Sequence, residues 1–570
     1  MEESVEKSGR YAILRQLQAD GITHMFGNPG TVEQGFLDAL RDFSEIRYQL
    51  TLQESVAVLC ADGYARAAQR PALVQLHSSP GIGNAVGALY QAKRGHAPLI
   101  VIAGDAGLRY MNMDAQMAAD LVAMMEPVTK YATMVLEPRN LLRTLRRAIK
   151  IATTPPMGPV YVCLPADVLD ADNQESVFPA CVPETRTAPD GTLLQRAAEL
   201  LAQGERPKIF FGDGVAWSGA GEALQRVAEQ LGAQMWGADT GDQSVSSDHP
   251  CYQGTTGHMF GEHSLPIMRE ADAVLIVGTY LLPEVFPELG DIFDPRAKVV
   301  HFDLNAYEIA KNHRVDLGVV CDPRTALNAL SDALAVTMDV GARAAAAERL
   351  ENMRRQRQQT DTENAQQDSR RAASSHATME AFAAELASRL PADAILFDEA
   401  LTNSPPLTRA IAQHPGRYFC TRGGSLGVGI PGAIGAKLAH PDRTVFGFTG
   451  DGGSMYTIQA LYTAAKYALD VNFVICHNQR YKLLDLNISH YWAEQGLPSH
   501  AFPQPFDLST PDLGFVEMAR GMCVDGVRVE RADQIAPAIT QALNASGPFL
   551  IDLVLQEETE DQHPGLKCGQ

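Results

Sequence analysis

Long apolar runs are missing from this chain. None approaches the roughly 20 residues that cross a bilayer, so no membrane-spanning role is expected. The opening residues, MEESVEKSGRYAIL, are charged and lack the apolar core of a signal peptide. Paired cysteines are missing too. Nine cysteines (Cys60, Cys163, Cys181, Cys251, Cys321, Cys420, Cys476, Cys523 and Cys568) are scattered without a CxxC spacing, which leaves no local metal-binding or redox pair. Several, as in VYVCLP and NFVICHN, sit in apolar runs and read as buried free thiols. An odd count without local pairing favours a reducing compartment, and the cytoplasm is the expected location. Positive charge is scarce: 47 Lys and Arg against 68 Asp and Glu leave a net charge of −21. A surface that acidic repels nucleic acid and anionic membrane, so neither is an expected partner. A small anionic substrate is not excluded, because a pocket can differ in sign from the surface. No short-period repeat is present.

What is present is an ordinary globular composition, 45% hydrophobic and 20% charged, over 570 residues. That length exceeds one core and suggests about three or four units. Strand-like and helix-like patterns alternate from the start: an amphipathic GRYAILRQLQADG, a short THMFG, helical VEQGFLDALRDF, RYQLTL, helical ESVAVLCADGYARAAQ, PALVQLHS, helical GNAVGALYQAKRG, and the apolar PLIVIAG. Such alternation predicts βαβ units and a parallel sheet. This unit, 1–180, closes near VYVCLPADVL and is followed by a Pro-rich stretch that reads as a linker. A second α/β unit spans 190–345. A charged, Arg/Gln-rich linker helix follows over 346–375 and reads as solvated on most faces. A third α/β unit covers 376–556, and a polar tail occupies 557–570. The fold class read here is three doubly wound parallel-sheet domains, one layout at each end around a different middle.

The chemistry concentrates in TVFGFTGDGGSMYTIQALYTAAKYALDVNFVICHNQRY. A strand ends in Gly450-Asp451-Gly452-Gly453-Ser454, a helix follows, and a second apolar strand ends at Asn478. Glycines at a strand end let backbone amides approach a diphosphate, and the following helix N-terminus favours negative charge. Asp451 and Asn478 offer a carboxylate and an amide carbonyl to one hard cation. Oxygen ligands completed by phosphate oxygens suit Mg²⁺. A lone GDG is more often a turn than a site, but GDG with an Asn at the end of an apolar strand 27 residues on is far more specific.

That pairing resembles the signature of thiamine-diphosphate enzymes of the pyruvate decarboxylase and acetohydroxyacid synthase superfamily. The resemblance runs along nearly the whole chain: pyrimidine-binding, middle and diphosphate-binding domains, in that order. It implies thiamine diphosphate and Mg²⁺ as cofactors, the metal held by Asp451 and Asn478 with a third position at Arg480. It also implies a glutamate in the first domain that contacts the aminopyrimidine ring and activates the cofactor. QLTLQESVAVLCADGYARA supplies Glu54 at the start of an apolar helix, where a glutamate alone would read as a dipole-favoured surface residue. In Arg422-Gly423-Gly424-Ser425-Leu426-Gly427, Leu426 falls where the family places an apolar residue under the bent cofactor, with Gly424 beside it; otherwise Leu426 is plain core. Thr402, in DEALTNS, falls among the diphosphate contacts, although a hydroxyl at a helix N-cap needs no ligand. Further cofactor contacts are implied for Gly30, Asn84, Gly450, Gly452, Gly453, Ser454 and Tyr481. Since the family builds each site from two subunits, at least a homodimer is implied, and a tetramer is expected.

The first-domain motifs resemble the benzoylformate decarboxylase branch. GNPGTVEQGFL is similar to its segment near the substrate carboxylate, with Thr31 in place of a serine, and LHSSPGIGNAVGAL places His77 in the catalytic position. There His77 would orient the carboxylate and carry a proton, although a histidine after a buried strand is often only core. One departure stands out. The branch has a second histidine from the middle domain, and GTYLLPEVFPELG has none; by register that position falls near Val285. No His-His pair occurs anywhere in the chain. Leu483, Leu484 and Tyr481 read as an apolar substrate wall. The tail with His563, Lys567 and Cys568 reads either as a lid or as a loose terminus. FAD, which acetohydroxyacid synthases hold in the middle domain, has no clear signal. Three readings follow: a 2-oxo acid decarboxylase with carboligase capacity, favoured by His77; an acetolactate-synthase-like carboligase or 2-hydroxyacyl-CoA lyase, favoured by the missing histidine; and a non-catalytic paralogue, disfavoured by intact Glu54, Asp451 and Asn478.

Overall fold

Strand segments such as VYVCLP, AVLIV and NFVICH are apolar at every position, which suits strands covered on both faces by helices. The computed structural model describes residues 7–555, and there these segments build three six-stranded sheets in which every strand pair is parallel. The tail read as a lid or loose terminus lies outside the described residues. In the first sheet, β1 (His24–Gly27), β2 (Arg47–Leu50), β3 (Ala72–His77), β4 (Leu99–Asp105), β5 (Tyr131–Met134) and β6 (Val160–Pro165) lie in the order 2-1-3-4-6-5. The middle sheet, β7 (Pro207–Phe211), β8 (Gln234–Gly237), β9 (Tyr252–Thr255), β10 (Ala273–Val277), β11 (Lys298–Asp303) and β12 (Leu317–Val320), runs 12-11-10-7-8-9. In the third sheet, β13 (Ile395–Glu399), β14 (Tyr418–Cys420), β15 (Val445–Gly450), β16 (Asn472–His477), β17 (Asp525–Val529) and β18 (Phe549–Val554) run 14-13-15-16-18-17. The first and third sheets therefore share one winding and the middle sheet has another, as the sequence pattern indicates. No helix among the described residues is long and apolar enough to cross a membrane.

Three local departures have physical causes. The VEQGFLDALRDF helix is broken into Thr31–Glu33, Gln34–Ala39 and Leu40–Asp42, the outer two being 3₁₀ turns. The helix after β3 begins at Ser78, ahead of the glycines, because Ser78 takes a left-handed conformation (φ 45°) that turns the chain directly from strand to helix. The stretch between β4 and β6 adds β5 and the amphipathic helix Leu141–Thr153, whose Leu141, Leu142, Leu145 and Ile149 are buried. The linker helix runs Val340–Ala372 and, as its composition suggests, buries little: only Ala346 and Met353 enter the core.

The first and third units are joined by the helices Glu54–Ala68 and Gly429–Ala439, which touch backbone to backbone. A Cβ at Gly63 would come within 2.3 Å of the Gly432 carbonyl oxygen, and one at Gly435 within 2.1 Å of the Cys60 carbonyl. Beside this contact Arg66 is fully buried. Its Nε donates to Asp242 Oδ1 (2.7 Å) and its Nη2 to the carbonyls of Gly241 (2.8 Å) and Cys420 (2.9 Å). Its plane lies over the rings of Phe397 and Phe419. One guanidinium thus touches all three units.

The glycine contact generates a test. Alanine at position 63 gains about 1 kcal/mol of helix propensity, but overpacking against a backbone carbonyl that cannot swing aside costs about 1–3 kcal/mol or more. Gly63→Ala is expected to lower the thermal unfolding midpoint, and a raised midpoint would show that the two helices are free to separate.

Candidate active site

At the carboxyl end of β15 the chain turns at Gly450, where an added Cβ would meet no atom within 4 Å. Open space at a strand end is what a bulky anion needs. Asp451 follows and is buried. Its Oδ1 accepts from the Gly452 amide (2.7 Å) and its Oδ2 from the Gln479 amide (2.5 Å), so the carboxylate ties the end of β15 to the turn after β16. Burial pushes its carboxyl above the usual range, against the pull of those amides. A divalent cation would relieve that unfavourable burial of charge. Asn478 stands at the end of β16, its Oδ1 accepting from the Arg480 amide (3.2 Å). The Arg480 guanidinium is committed to Asp485, with Nε and Nη2 at 2.8 and 3.1 Å from its two oxygens. A guanidinium has no lone pair for a metal, so any oxygen from this position is the main-chain carbonyl. Among the described residues, no three His, Cys, Asp or Glu side chains cluster as a complete metal site. One carboxylate and one amide oxygen match a cation that also takes phosphate oxygens.

The other predicted contacts gather around the same strand ends. The Ser454 hydroxyl donates to the Asp451 carbonyl (2.7 Å), and Gly452 is backed by the Tyr481 ring, where a Cβ would come within 2.3 Å. In the Arg422–Gly427 loop, Gly423, Gly424 and Gly427 all have positive φ (64°, 70° and 85°), which explains three glycines in five residues. Gly424 faces open space. Thr402 lies in the Leu401–Asn403 turn, and the helix N-cap is Asn403, so the N-cap reading of Thr402 is corrected by one residue.

Glu399, which has no short-range motif, organises this face. It is buried at the end of β13, and its two oxygens accept from the amides of Gly427 (2.5 Å) and Gly429 (2.6 Å). Burial pushes its carboxyl up to about 7 despite these bonds. A Cβ at Gly453 would lie 3.3 Å from Glu399 Oε1, so the same carboxyl backs the GDGG turn. The glycine loop is held by this buried group, and the GDGG turn packs against it.

The first-domain residues form a second cluster. Glu54 is buried at the start of its helix, accepting from Asn28 Nδ2 on Oε1 and from Asn84 Nδ2 on Oε2, both at 3.0 Å. His77 ends β3, with Nδ1 3.0 Å from Glu33 Oε2. Glu33, missed in the sequence reading although it lies two residues after Thr31, is buried; its Oε1 accepts from the Gly104 amide (2.8 Å). Burial raises the Glu33 carboxyl, and the neighbouring imidazole opposes that rise. Gly30 passes so close to the imidazole that a Cβ would sit 2.0 Å from His77 Cγ. Thr31 is exposed beside it. With Nδ1 held by Glu33, the imidazole presents Nε2 for proton exchange. In the middle domain Val285 is 57% exposed, and its amide donates to the His258 carbonyl at 3.2 Å. The valine is therefore open to its surroundings and brings no titratable group. A groove of about 920 Å³ runs along Arg354–Arg370 of the linker helix and contains none of these residues.

Comparison with known proteins shows the family of the three units. Family models match in chain order: the thiamine pyrophosphate enzyme N-terminal TPP binding domain at 7–124, the central domain at 194–330 and the C-terminal TPP binding domain at 407–553. A Methanocaldococcus jannaschii protein named "Probable acetolactate synthase large subunit" is 30% identical, covering 96% of this chain and 92% of its own. The benzoylformate decarboxylase of Pseudomonas aeruginosa is also 30% identical, covering 96% and 98%. The solved thiamine diphosphate-dependent 4-hydroxybenzoylformate decarboxylase of Rhodococcus jostii RHA1 superposes with a TM-score of 0.83 at 25% identity, covering 97% and 99%.

Glu399→Gln tests the shared anchor. An amide NH₂ must then face one of the two backbone donors, a loss of about 1–3 kcal/mol. The native carboxyl, raised to about 7, stabilises the fold most below the ordinary carboxylate range, and this contribution is lost as pH rises through about 7. The variant should be less stable at pH 5, with the gap narrowing towards pH 8. Urea midpoints measured at both pH values check this, and a constant gap would count against a raised Glu399.

Proposed function

We propose, from the premise that this chain belongs to the thiamine pyrophosphate enzyme family of decarboxylases and acetolactate synthases, that it converts a 2-oxo acid to carbon dioxide and an aldehyde, with a capacity to join the acyl unit to a second carbonyl. The observation that carries this reading is the Glu33–His77 pair beside Gly30 and Thr31. Decarboxylation to an aldehyde replaces a carboxyl group by a proton, so the site needs a group that holds and delivers one. Glu33 fixes the imidazole through Nδ1, and Nε2 exchanges the proton at the substrate carbonyl. Gly30 and Thr31 shape the space where the substrate carboxylate is oriented.

The residues present fit thiamine diphosphate and Mg²⁺. Space at Gly450 and Gly424 suits the diphosphate. Asp451, Asn478 and the Arg480 main chain would hold the metal, with Gly452, Gly453, Ser454 and Thr402 around the diphosphate. Glu54 and Asn84, with Gly30 nearby, would meet the aminopyrimidine, Leu426 the central bend, and Tyr481 the wall beside it. When bound, thiamine diphosphate supplies the nucleophilic carbon and electron sink needed to break a bond next to a carbonyl. Glu54's task is proton transfer at the aminopyrimidine, for which a buried carboxyl is suited.

The spacing within one chain favours a site shared between two. Asn84, which holds Glu54, lies near the start of the Ser78–Arg94 helix. The Arg422–Gly427 loop packs at its end, with a Cβ at Gly423 falling 3.1 Å from Arg94 Cγ. Ten residues of helix separate the two, about 15 Å. Leu52 near Glu54, and Met455 and Tyr456 after the GDGG turn, are exposed apolar side chains that a second copy would cover. A homodimer is the minimum assembly, and a tetramer is in keeping with it.

The second reading, an acetolactate-synthase-like carboligase or a 2-hydroxyacyl-CoA lyase, is favoured by Val285, since the middle domain offers no imidazole there. Substrate profiling with thiamine diphosphate and Mg²⁺ separates the two. Carbon dioxide and aldehyde from an aryl or branched 2-oxo acid is the expected result; acetolactate from pyruvate alone, or aldehyde only from a 2-hydroxyacyl-CoA, would transfer the protein to the second reading. Glu54→Gln should abolish turnover while the fold persists, as followed by circular dichroism, and native-like activity would remove Glu54 from the chemistry. His77→Ala should slow kcat by about 10²–10⁴-fold; a rise in KM at unchanged kcat would reduce His77 to a positioning role.

A further inference from the structure

Doubly wound sheets bind nucleotides in the crevice at the carboxyl ends of the strands where strand order reverses. In the middle sheet the reversal lies between β7 and β10, and the rim consists of Gly212–Gly214 after β7, Ala238–Asp242 after β8 and Gly278–Tyr280 after β10. This rim is closed. A Cβ on Gly214 would come within 2.6 Å of Gly278 Cα, and one on Gly212 within 2.5 Å of Thr279 Cβ. The cavity bordered by Tyr280, His301 and Lys311 is about 20 Å³, room for a water molecule but not for a ring system.

Two arginines from the neighbouring domains fill the crevice. Arg422, from the third domain, is buried: its Nη1 donates to Asp239 Oδ1 (2.7 Å), its Nη2 to the Arg94 carbonyl (3.1 Å), and its Nε lies 3.1 Å from Asp213 Oδ2. Arg94, from the first domain, donates through Nη2 to Asp239 Oδ2 (3.1 Å) and to the Tyr280 hydroxyl (2.6 Å). Asp213 Oδ1 is already taken by the amides of Gly241 (2.8 Å) and Asp242 (3.1 Å). The carboxylates that rim the crevice are thus neutralised from within, and FAD does not fit the groups present.

Arg422 also begins the glycine loop. Its amide donates to Gln91 Oε1 (2.8 Å), and after it come Gly423 and Gly424, both at positive φ, then Leu426. A loop of this composition has little stiffness of its own. It is pinned at its far end by Glu399 on the Gly427 and Gly429 amides and at its near end by Arg422. We propose that the middle-domain crevice is a keystone that takes no nucleotide, and that Arg422, seated in it, is the positioning residue that sets Leu426 under the cofactor. The second half rests on the reading of Leu426 given above.

The test has two arms on the full-length protein. Titration of wild type with FAD, ADP and CoA up to about 1 mM should give no binding heat, and the purified protein should show no flavin absorbance; retained flavin or saturable binding of any of the three overturns the keystone. In the second arm, calorimetry with thiamine diphosphate and Mg²⁺ is run on Arg422→Gln, Arg422→Lys and the near-isosteric Asp239→Asn. Arg422→Gln should bind about 10–100-fold more weakly, in the range of lost supporting contacts, with Asp239→Asn moving the same way. Arg422→Lys should recover part of the loss, because a lysine reaches one carboxylate but cannot span two. Affinities within twofold of wild type in both Arg422→Gln and Asp239→Asn overturn the positioning role. A wild type that takes up no thiamine diphosphate would instead defeat the cofactor reading, and the nucleotide arm would still decide the keystone.

Discussion

Buried charge at the meeting point of three domains is the constraint on which the rest of this structure depends. Arg66, in the first unit, carries no solvent-exposed surface, yet it is satisfied by Asp242, two carbonyls and two aromatic faces drawn from the other two units. Removing one partner of such a group strands the other in a low-dielectric interior, which typically costs about 3–5 kcal/mol. The domains are therefore fixed relative to one another by groups that cannot be vacated singly. The close glycine contacts between the Glu54–Ala68 and Gly429–Ala439 helices lie beside that registration.

How much of this was readable in the sequence depends on range. Asp451 and Asn478 are separated by a fixed strand–helix–strand interval, so their relationship is visible in the chain. Glu54 and His77 each terminate or follow an apolar run, and the different winding of the middle unit follows from its own alternation. Glu33, Glu399 and the Arg422–Asp239 pair were not visible. A carboxylate that binds two amides, or a guanidinium that reaches 183 residues back, leaves no local spacing. Glutamate and arginine read in isolation as surface residues, and only the packed fold shows them buried. The segment between β4 and β6 was missed for another reason: its strand is short and half-buried, and its helix starts after a Pro-Arg-Asn turn.

Val285 bears on how this fold can vary its chemistry. Asp451 and Asn478 directly follow strand ends that cannot move without disrupting a sheet. Val285, by contrast, is exposed on a loop, where exchange of one side chain leaves packing intact. Relatives of equal similarity accordingly include both a decarboxylase and a synthase.

The repeated winding of the first and third sheets has a further consequence. In the homodimer proposed above, each chain would carry one half of a site on each of two similar platforms, and each platform would face its counterpart on the other chain. Sites would then arise only in pairs, with every chain serving both. A dimer mixed from one chain disabled at Glu54 and another disabled at Asp451 would concentrate both lesions in one site and leave the other whole. Such a mixed dimer would keep one working site of its two, and two inactive proteins would complement each other, the genetic signature expected of a site completed only between chains.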